Sequence, residues 1–205
     1  MLYTIIIYIQ VQVNEVIYVG KRIHEILLDA RSIGSDTVYK KYKQECKIMS
    51  TLHHENVIKF IGQCFLHDSQ FPVLVMERLK GGNLQDFLLT IPNIVLNLKV
   101  SILADVSKGL LYLHQHSPQI VHQDLTAKNV LLTPSLRAKI SDFANTRIIH
   151  SQLVQKMFQL PEIAPYMPPE AFHLLESHLP SFDIFSFGHL ALIVGLQVWL
   201  HEICM

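Results

Sequence analysis

The chain has little of what usually settles a function at sight. It has no charge surplus: 17 Lys and Arg balance 17 Asp and Glu in 205 residues. A nucleic-acid binder needs a basic excess to neutralise phosphates, so that class loses its main support. There is no acidic run of the kind that stays disordered. Cysteine is scarce. Cys46, Cys64 and Cys204 make no C-x-x-C pair and no disulfide framework, which points to a reducing compartment. Glycine is absent before Gly20, so no backbone cradle of the G-x-G-x-x-G kind precedes that position. The apolar start, Met1 to Ile9, lacks the basic n-region and small-residue cleavage site of a secretory signal, and Gln10, Gln12 and Asn14 follow at once. A strand is the expectation there.

What is present is a large apolar fraction. Half the residues are hydrophobic and 17% are charged, enough for a sizeable core. At roughly 100–200 residues per domain, the length allows one or two domains. Twelve histidines are scattered along the chain. His53–His54 and His114 with His116 come nearest to a metal pattern, but neither has the Cys or carboxylate spacing of a zinc site, so ordinary surface or core histidines are expected. Ile184 to Leu200 is almost uncharged. At the lower edge of about 17 residues it could span a membrane, yet no Lys/Arg cluster flanks it to set an orientation. A buried core helix explains it equally well.

Periodicity gives the organisation. Val11, Val13, Val16, Ile17 and Val19 stand among polar neighbours, which predicts a strand over 10–19. Tyr42, Glu45, Cys46, Met49 and Leu52 recur at helical spacing, predicting a helix over 38–52. Val57–Ile61 and Val73–Met76 read as short strands. Gly81, Gly82 and Asn83 make a turn before a short helix carrying Leu84, Phe87 and Leu88. Leu98–His114 is the clearest helix, with Ile102, Val106, Leu110 and Leu113 on one face. Val130–Leu132 and Ala138–Ser141 are strand-like, and 145–169, with four prolines and no periodicity, reads as a functional loop. Strands with one helix first and mostly helices afterwards imply an α+β fold in two lobes joined near 77–82.

Three short elements carry the chemistry. His122, Gln123 and Asp124 are followed after four residues by Asn129; Asp142, Phe143 and Ala144 come 18 residues after Asp124; Tyr166 to Glu170 reads Y-M-P-P-E. A lone Asp on a loop is more often turn or cap chemistry. In this order, however, the three resemble the H-R-D-x-x-x-x-N, D-F-G and A-P-E elements of the protein kinase superfamily, within its tyrosine-kinase and tyrosine-kinase-like groups. The resemblance covers residues 10–200. It implies a two-lobed kinase-like fold with an incomplete small β lobe over about 10–76, a hinge over 77–82 and a partial helical large lobe over 83–200.

The resemblance implies roles as well. Asp124 accepts or orients the proton of the substrate hydroxyl, while Asn129 and Asp142 hold Mg²⁺ against the phosphates of ATP. Lys43 to Val57 is similar to the family's αC helix and the strand after it, so Glu45 pairs the phosphate-binding lysine; taken alone, Glu45 reads as a solvated helix charge. Val73 to Leu84 is similar to the strand and hinge that hold adenine. Met76 is then the gatekeeper, the backbone of Glu77 and Leu79 bonds the base, and Leu131 packs beneath it. Ser181 to Gly188 resembles the start of αF, which makes the apolar tail a buried helix and gives Asp183 the task of capping the catalytic-loop backbone. The phosphate lysine is expected at Lys21, with residues 29–37 as an insertion that absorbs a long separation from Glu45; Lys21 reads equally as an ordinary strand lysine.

Departures shape the expectation. The Gly-rich loop and first strand are missing and both ends look cut, so exposed apolar surface and poor stability are expected. Gln123 stands where the family has an arginine that pairs with an activation-loop phosphate, and a neutral amide cannot make that charge-assisted bond. Ala144 replaces the D-F-G glycine and Pro168 the A-P-E alanine. Thr126, Ala127 and Lys128 resemble tyrosine kinases, whereas Ala164 to Glu170 is closer to serine/threonine and tyrosine-kinase-like members, so the acceptor is left as Tyr or Ser/Thr. The function implied is ATP- and Mg²⁺-dependent phosphorylation of a protein hydroxyl, with ATP and a protein substrate as partners and no nucleic acid. The alternative is a pseudokinase-like binding or scaffold module. A cytoplasmic, intracellular location is implied for this chain, with membrane attachment of a longer parent left open.

Overall fold

The structure is a computed structural model that describes residues 6–23, 35–66, 72–91, 93–144, 146, 164–166 and 180–196. The fold is α+β. It divides into two compact units, residues 1–53 with 58–78, and residues 54–57 with 79–205.

The first unit is built on a four-stranded antiparallel sheet. Its strands are β1 (Ile6–Val13), β2 (Val16–Ile23), β3 (Phe60–Phe65) and β4 (Pro72–Glu77), in the order β1-β2-β4-β3. The strand expected over 10–19 is instead a hairpin. Asn14 and Glu15 sit at φ 47° and 68°, the left-handed pair that a two-residue hairpin turn requires, and β1 and β2 pair along their whole length from Val13↔Val16 to Ile6↔Ile23. The doublet Val16–Ile17, where the alternation changes phase, marks the reversal. Gly20 lies where β1, β2 and β4 crowd together: a Cβ there would come within 2.7 Å of the side chains of Val11 and Val73. The strand expected over 57–61 begins later. β3 starts at Phe60 and carries one extra residue, Ile61, between the pairs Phe60↔Met76 and Gly62↔Val75. Val57 is buried, but it belongs to the second unit, where it bridges Ile140. The helix α1 (Ser35–Met49) buries Tyr42, Glu45, Cys46, Ile48 and Met49 on one face. Residues 35–37, expected in an insertion, form its first turn; 29–34 lie outside the described residues.

The second unit is mainly helical. Asn83 caps α2 (Leu84–Thr90) by accepting from the Asp86 N–H, the usual service of an Asn at that position. The helix α3 (Leu96–Gln115) buries Ile102, Val106, Leu110 and Leu113, an i, i+3/i+4 stripe. A short 3-10 turn (Ala127–Asn129) leads into the hairpin of β5 (Val130–Leu132) and β6 (Ala138–Ile140). Arg137 clips the start of β6 to α3: its Nε and Nη2 donate to the Asp105 carboxylate at 2.7 and 2.6 Å, and Ala138 N–H adds a third bond at 3.0 Å. Burial alone would raise the Asp105 pKa, but these bonds and the guanidinium charge together hold it below the ordinary carboxylate value.

The apolar tail forms α4 (Pro180–Leu196), which buries Phe182, Asp183, Ser186, Leu190, Ile193 and Val194. Its other side leaves Ile184, Phe185, Leu192 and Leu196 exposed. No helix among the described residues is long and apolar enough to cross a membrane. Most of the loop expected over 145–169, the residues 167–170 of the A-P-E-like element, the tail beyond 196 and Cys204 lie outside the described residues.

Candidate active site

In the first unit, Lys21 rises from β2 and Glu45 from α1. Lys21 Nζ lies 2.7 Å from Glu45 Oε1, and the side chains are only 1% and 3% exposed. That burial excludes one reading of Glu45: neither residue is a solvated surface charge. Two charges removed from water persist only when each finds a close partner. The neighbouring Cys46 thiol is pushed up to about 11, chiefly by burial and then by the Glu45 charge. Met76 is buried in β4, opposite Val19. The Glu77 N–H is committed to the Lys59 carbonyl at 3.0 Å, and its side chain accepts from Lys59 N–H at 2.8 Å.

In the second unit, the loop 122–129 is built around Asp183. Its Oδ2 accepts from His122 N–H and its Oδ1 from Gln123 N–H, both at 2.8 Å, and His114 Nε2 lies 2.8 Å from Oδ2. Asp183 is at the N-terminal end of α4, so a helix laid down some 60 residues later fixes the loop backbone. The loop needs such an anchor because Gln123 is held at φ 65°, which costs a non-glycine residue energy.

His122 is fully buried and its hydrogen bonds define its tautomer. Nδ1 faces the Asp124 N–H at 3.3 Å and must accept; Nε2 faces the Ser141 carbonyl at 3.0 Å and must donate. The imidazole is therefore a neutral strut between the two loops, with Phe143 packed edge-on against it at 5.1 Å. Asn129 is fixed in the same way. Its Nδ2 donates to the Asp124 carbonyl at 2.7 Å, and its own carbonyl accepts from Ser141 N–H at 2.8 Å and Ser141 Oγ at 2.9 Å. Asp142 follows directly, at φ 64°. So Asp124, Asn129 and Asp142 are brought together by a few short backbone contacts. Leu131, half-buried, follows on β5 and bridges Asn83. Leu79 belongs to this unit and is half-buried.

The donor set suits a hard divalent cation. A carbonyl can only accept, so the face of Asn129 turned to Asp124 must be its nitrogen, and the amide oxygen is the end it can offer. A carboxamide oxygen with the Asp142 carboxylate is the oxygen chemistry that Mg²⁺ takes. The histidine pairs have other partners. His114 meets Asp183, His116 Nδ1 lies 3.0 Å from the Pro118 carbonyl, and His54 accepts from Asn56 N–H while stacking on Tyr112 at 4.8 Å.

Some contacts were not foreseeable as function. His114 stands out in the sequence only as half of a histidine pair, yet it is a partner of Asp183; its place on the inward side of α3 near the loop is the available signal. Tyr42 reads as one more apolar position on α1, although its hydroxyl is hydrogen-bonded to the sheet. Tyr166, in the 3-10 turn Ala164–Tyr166, is held by α4: its carbonyl accepts from Ser186 Oγ at 2.7 Å and its ring meets His189 edge-on at 4.5 Å.

Comparison with known proteins gives the family. Residues 28–194 match the family described as protein tyrosine and serine/threonine kinase. The chain is 31% identical over 165 residues to a probable serine/threonine-protein kinase of Dictyostelium discoideum, covering 80% of this chain and 15% of that protein. It is 32% identical over 163 residues to the dual specificity protein kinase splA of the same organism, covering 72% and 7%. Against the human serine/threonine-protein kinase TNNI3K it is 34% identical over 146 residues, covering 71% and 17%. It thus spans less than a fifth of the length of these relatives. The family match starts after Lys21, so its pairing with Glu45 rests on the geometry and not on that match. The chain belongs to the protein tyrosine and serine/threonine kinase family.

Proposed function

We propose that this domain transfers the γ-phosphoryl group of ATP to a protein hydroxyl. The observation that carries the reading is the catalytic-loop set, Asp124, Asn129 and Asp142, braced by Asp183 and the neutral His122. Asp124 takes the proton of the acceptor hydroxyl as that oxygen bonds to the γ-phosphorus. The bond to the β,γ-bridging oxygen breaks, and ADP leaves with the electron pair. Asn129 and Asp142 would hold Mg²⁺, which when bound offsets phosphate charge. Lys21, kept in place by Glu45, sets a fixed positive charge on the phosphates. Met76 and Leu131 supply apolar contact to the adenine, and the backbone of Glu77 and Leu79 supplies its hydrogen bonds.

In this reading residues 10–76 are the small lobe, 77–82 the hinge and 83–200 part of the large lobe. The enzyme works inside the cell. Relatives named as serine/threonine and dual-specificity kinases support a Ser or Thr acceptor as the first to try, with Tyr second. Phosphotransfer from Mg-ATP to a generic protein acceptor, with Asp124→Asn beside the wild type, tests the proposal. We expect the variant to lose at least about 100-fold, the scale of a general base. Equal rates, or a folded wild type that transfers nothing, would overturn it in favour of a binding or scaffold module.

A further inference from the structure

Tyr42 lies one helical turn before Glu45 on α1, so both side chains leave the same face. It is buried, and its phenol lies where the β2–β4 ladder ends. The last paired residues of that ladder are Lys21 and Leu74. The Tyr42 hydroxyl accepts from Leu74 N–H at 2.7 Å and donates to the Lys21 carbonyl. A hydroxyl is one of the few side-chain groups that can do both at once. It therefore relays the rung from one strand to the other while belonging to the helix. Burial pushes the phenol well above its ordinary pKa, so the proton needed for the donated bond stays in place. The result is two ties from α1 to one lysine: Tyr42 holds its backbone, and Glu45 holds its ammonium.

We propose that Tyr42 is a positioning residue for phosphoryl transfer: its hydroxyl sets the docking of α1 on the sheet and thereby keeps Glu45 within reach of Lys21 Nζ. The proposal rests on the kinase reading of Lys21 and Glu45. It differs from ordinary core packing, because the ring alone would pack and only the oxygen makes the tie. Replacing Tyr42 by Phe keeps the ring, removes the oxygen, and leaves a buried N–H and C=O to find other partners.

The test uses the full chain with Cys64→Ser and Cys204→Ser, so that the buried Cys46, next to Glu45, is the single thiol. In Tyr42→Phe we expect the Lys21 Nζ resonance, read by NMR on ¹⁵N-lysine protein, to move toward its position in Glu45→Gln. Cys46 labelling by a disulfide reagent should speed up by about tenfold, the scale of losing one net hydrogen bond to local opening. In the phosphotransfer assay kcat/KM for ATP should fall on the order of tenfold through the misplaced lysine. Ile102→Val, a core change in the second unit, should move neither the Lys21 resonance nor the Cys46 rate. A wild-type Lys21 resonance in Tyr42→Phe, or an equal shift in Ile102→Val, would overturn the proposal. If Tyr42→Phe does not fold, the wild type decides: a slowly exchanging Tyr42 hydroxyl proton with a cross-peak to Leu74 N–H supports the tie, and its absence overturns it. The NMR readouts use no ATP, so a wild type without phosphotransfer defeats the kinase reading while the tie is still judged on its own.

Discussion

Glu45 and Asp183 are both carboxylates with almost no access to water, 3% and 0% exposed, but they hold different things. Glu45 meets the ammonium at the end of a long side chain. Asp183 meets two backbone N–H groups, with His114 beside one oxygen. A side-chain partner can be removed together with its carboxylate by a second substitution. Backbone donors cannot. The ion pair of the first unit is thus replaceable as far as stability goes, whereas the clamp of the second unit is needed for the loop to exist in this form.

The largest effect should come from Asp183→Ala. It strands two buried N–H groups at about 1–3 kcal/mol each, against a total stability of roughly 5–15 kcal/mol. Urea titration should show a large share of the stability gone; a midpoint close to wild type would break the contrast. Next comes Lys21→Met, which leaves Glu45 buried without its ammonium, at about 3–5 kcal/mol. Adding Glu45→Leu should restore most of that loss while phosphotransfer stays absent. If the double variant is as unstable as the single one, the pair is not replaceable and the contrast between the two carboxylates collapses.

The smallest effect concerns Asp105. Its folded pKa is depressed, so the stability it contributes is fully present above the unfolded value near 4 and is lost as pH falls through the folded value. A thermal melt series from pH 6 down to pH 2.5 should show part of the acid loss, and Asp105→Asn should flatten that part. An unchanged acid slope would mean that the Arg137–Asp105 clip adds nothing to stability.

Local patterns were legible in the sequence, and distant partners were much less so. The stripe Ile102, Val106, Leu110 and Leu113 needs only its own spacing to announce α3, and the hairpin strands β5 and β6 stand where their apolar runs put them. Asp124 and Asn129 sit five residues apart on one loop, so a short motif carries them. Lys21 and Glu45 have no such help: 24 residues separate them, and what joins them is the docking of a helix on a sheet. Glu45 alone looks like a surface charge on an amphipathic helix; the family resemblance pointed to its pairing with a lysine, and the burial of both side chains agrees with that pairing. The β1–β2 hairpin was hidden because Asn14–Glu15 lacks the glycine that usually signals a two-residue turn, leaving the phase change at Val16–Ile17 as its sole trace. The Tyr42 hydroxyl was invisible for a similar reason, since periodicity scores a tyrosine as apolar and ignores its oxygen.

The proposed assignment of Lys21 as the phosphate lysine is the central claim, since the buried pair with Glu45 is the feature of the first unit that the kinase reading uses. An acyl-phosphate derivative of ATP acylates the lysine that lies against its phosphates, and peptide mass spectrometry reads which one was modified. We expect label on Lys21, lost when excess Mg-ATP is present. Nucleotide-protected label on Lys40, Lys41 or Lys43, with Lys21 unmodified, would contradict it.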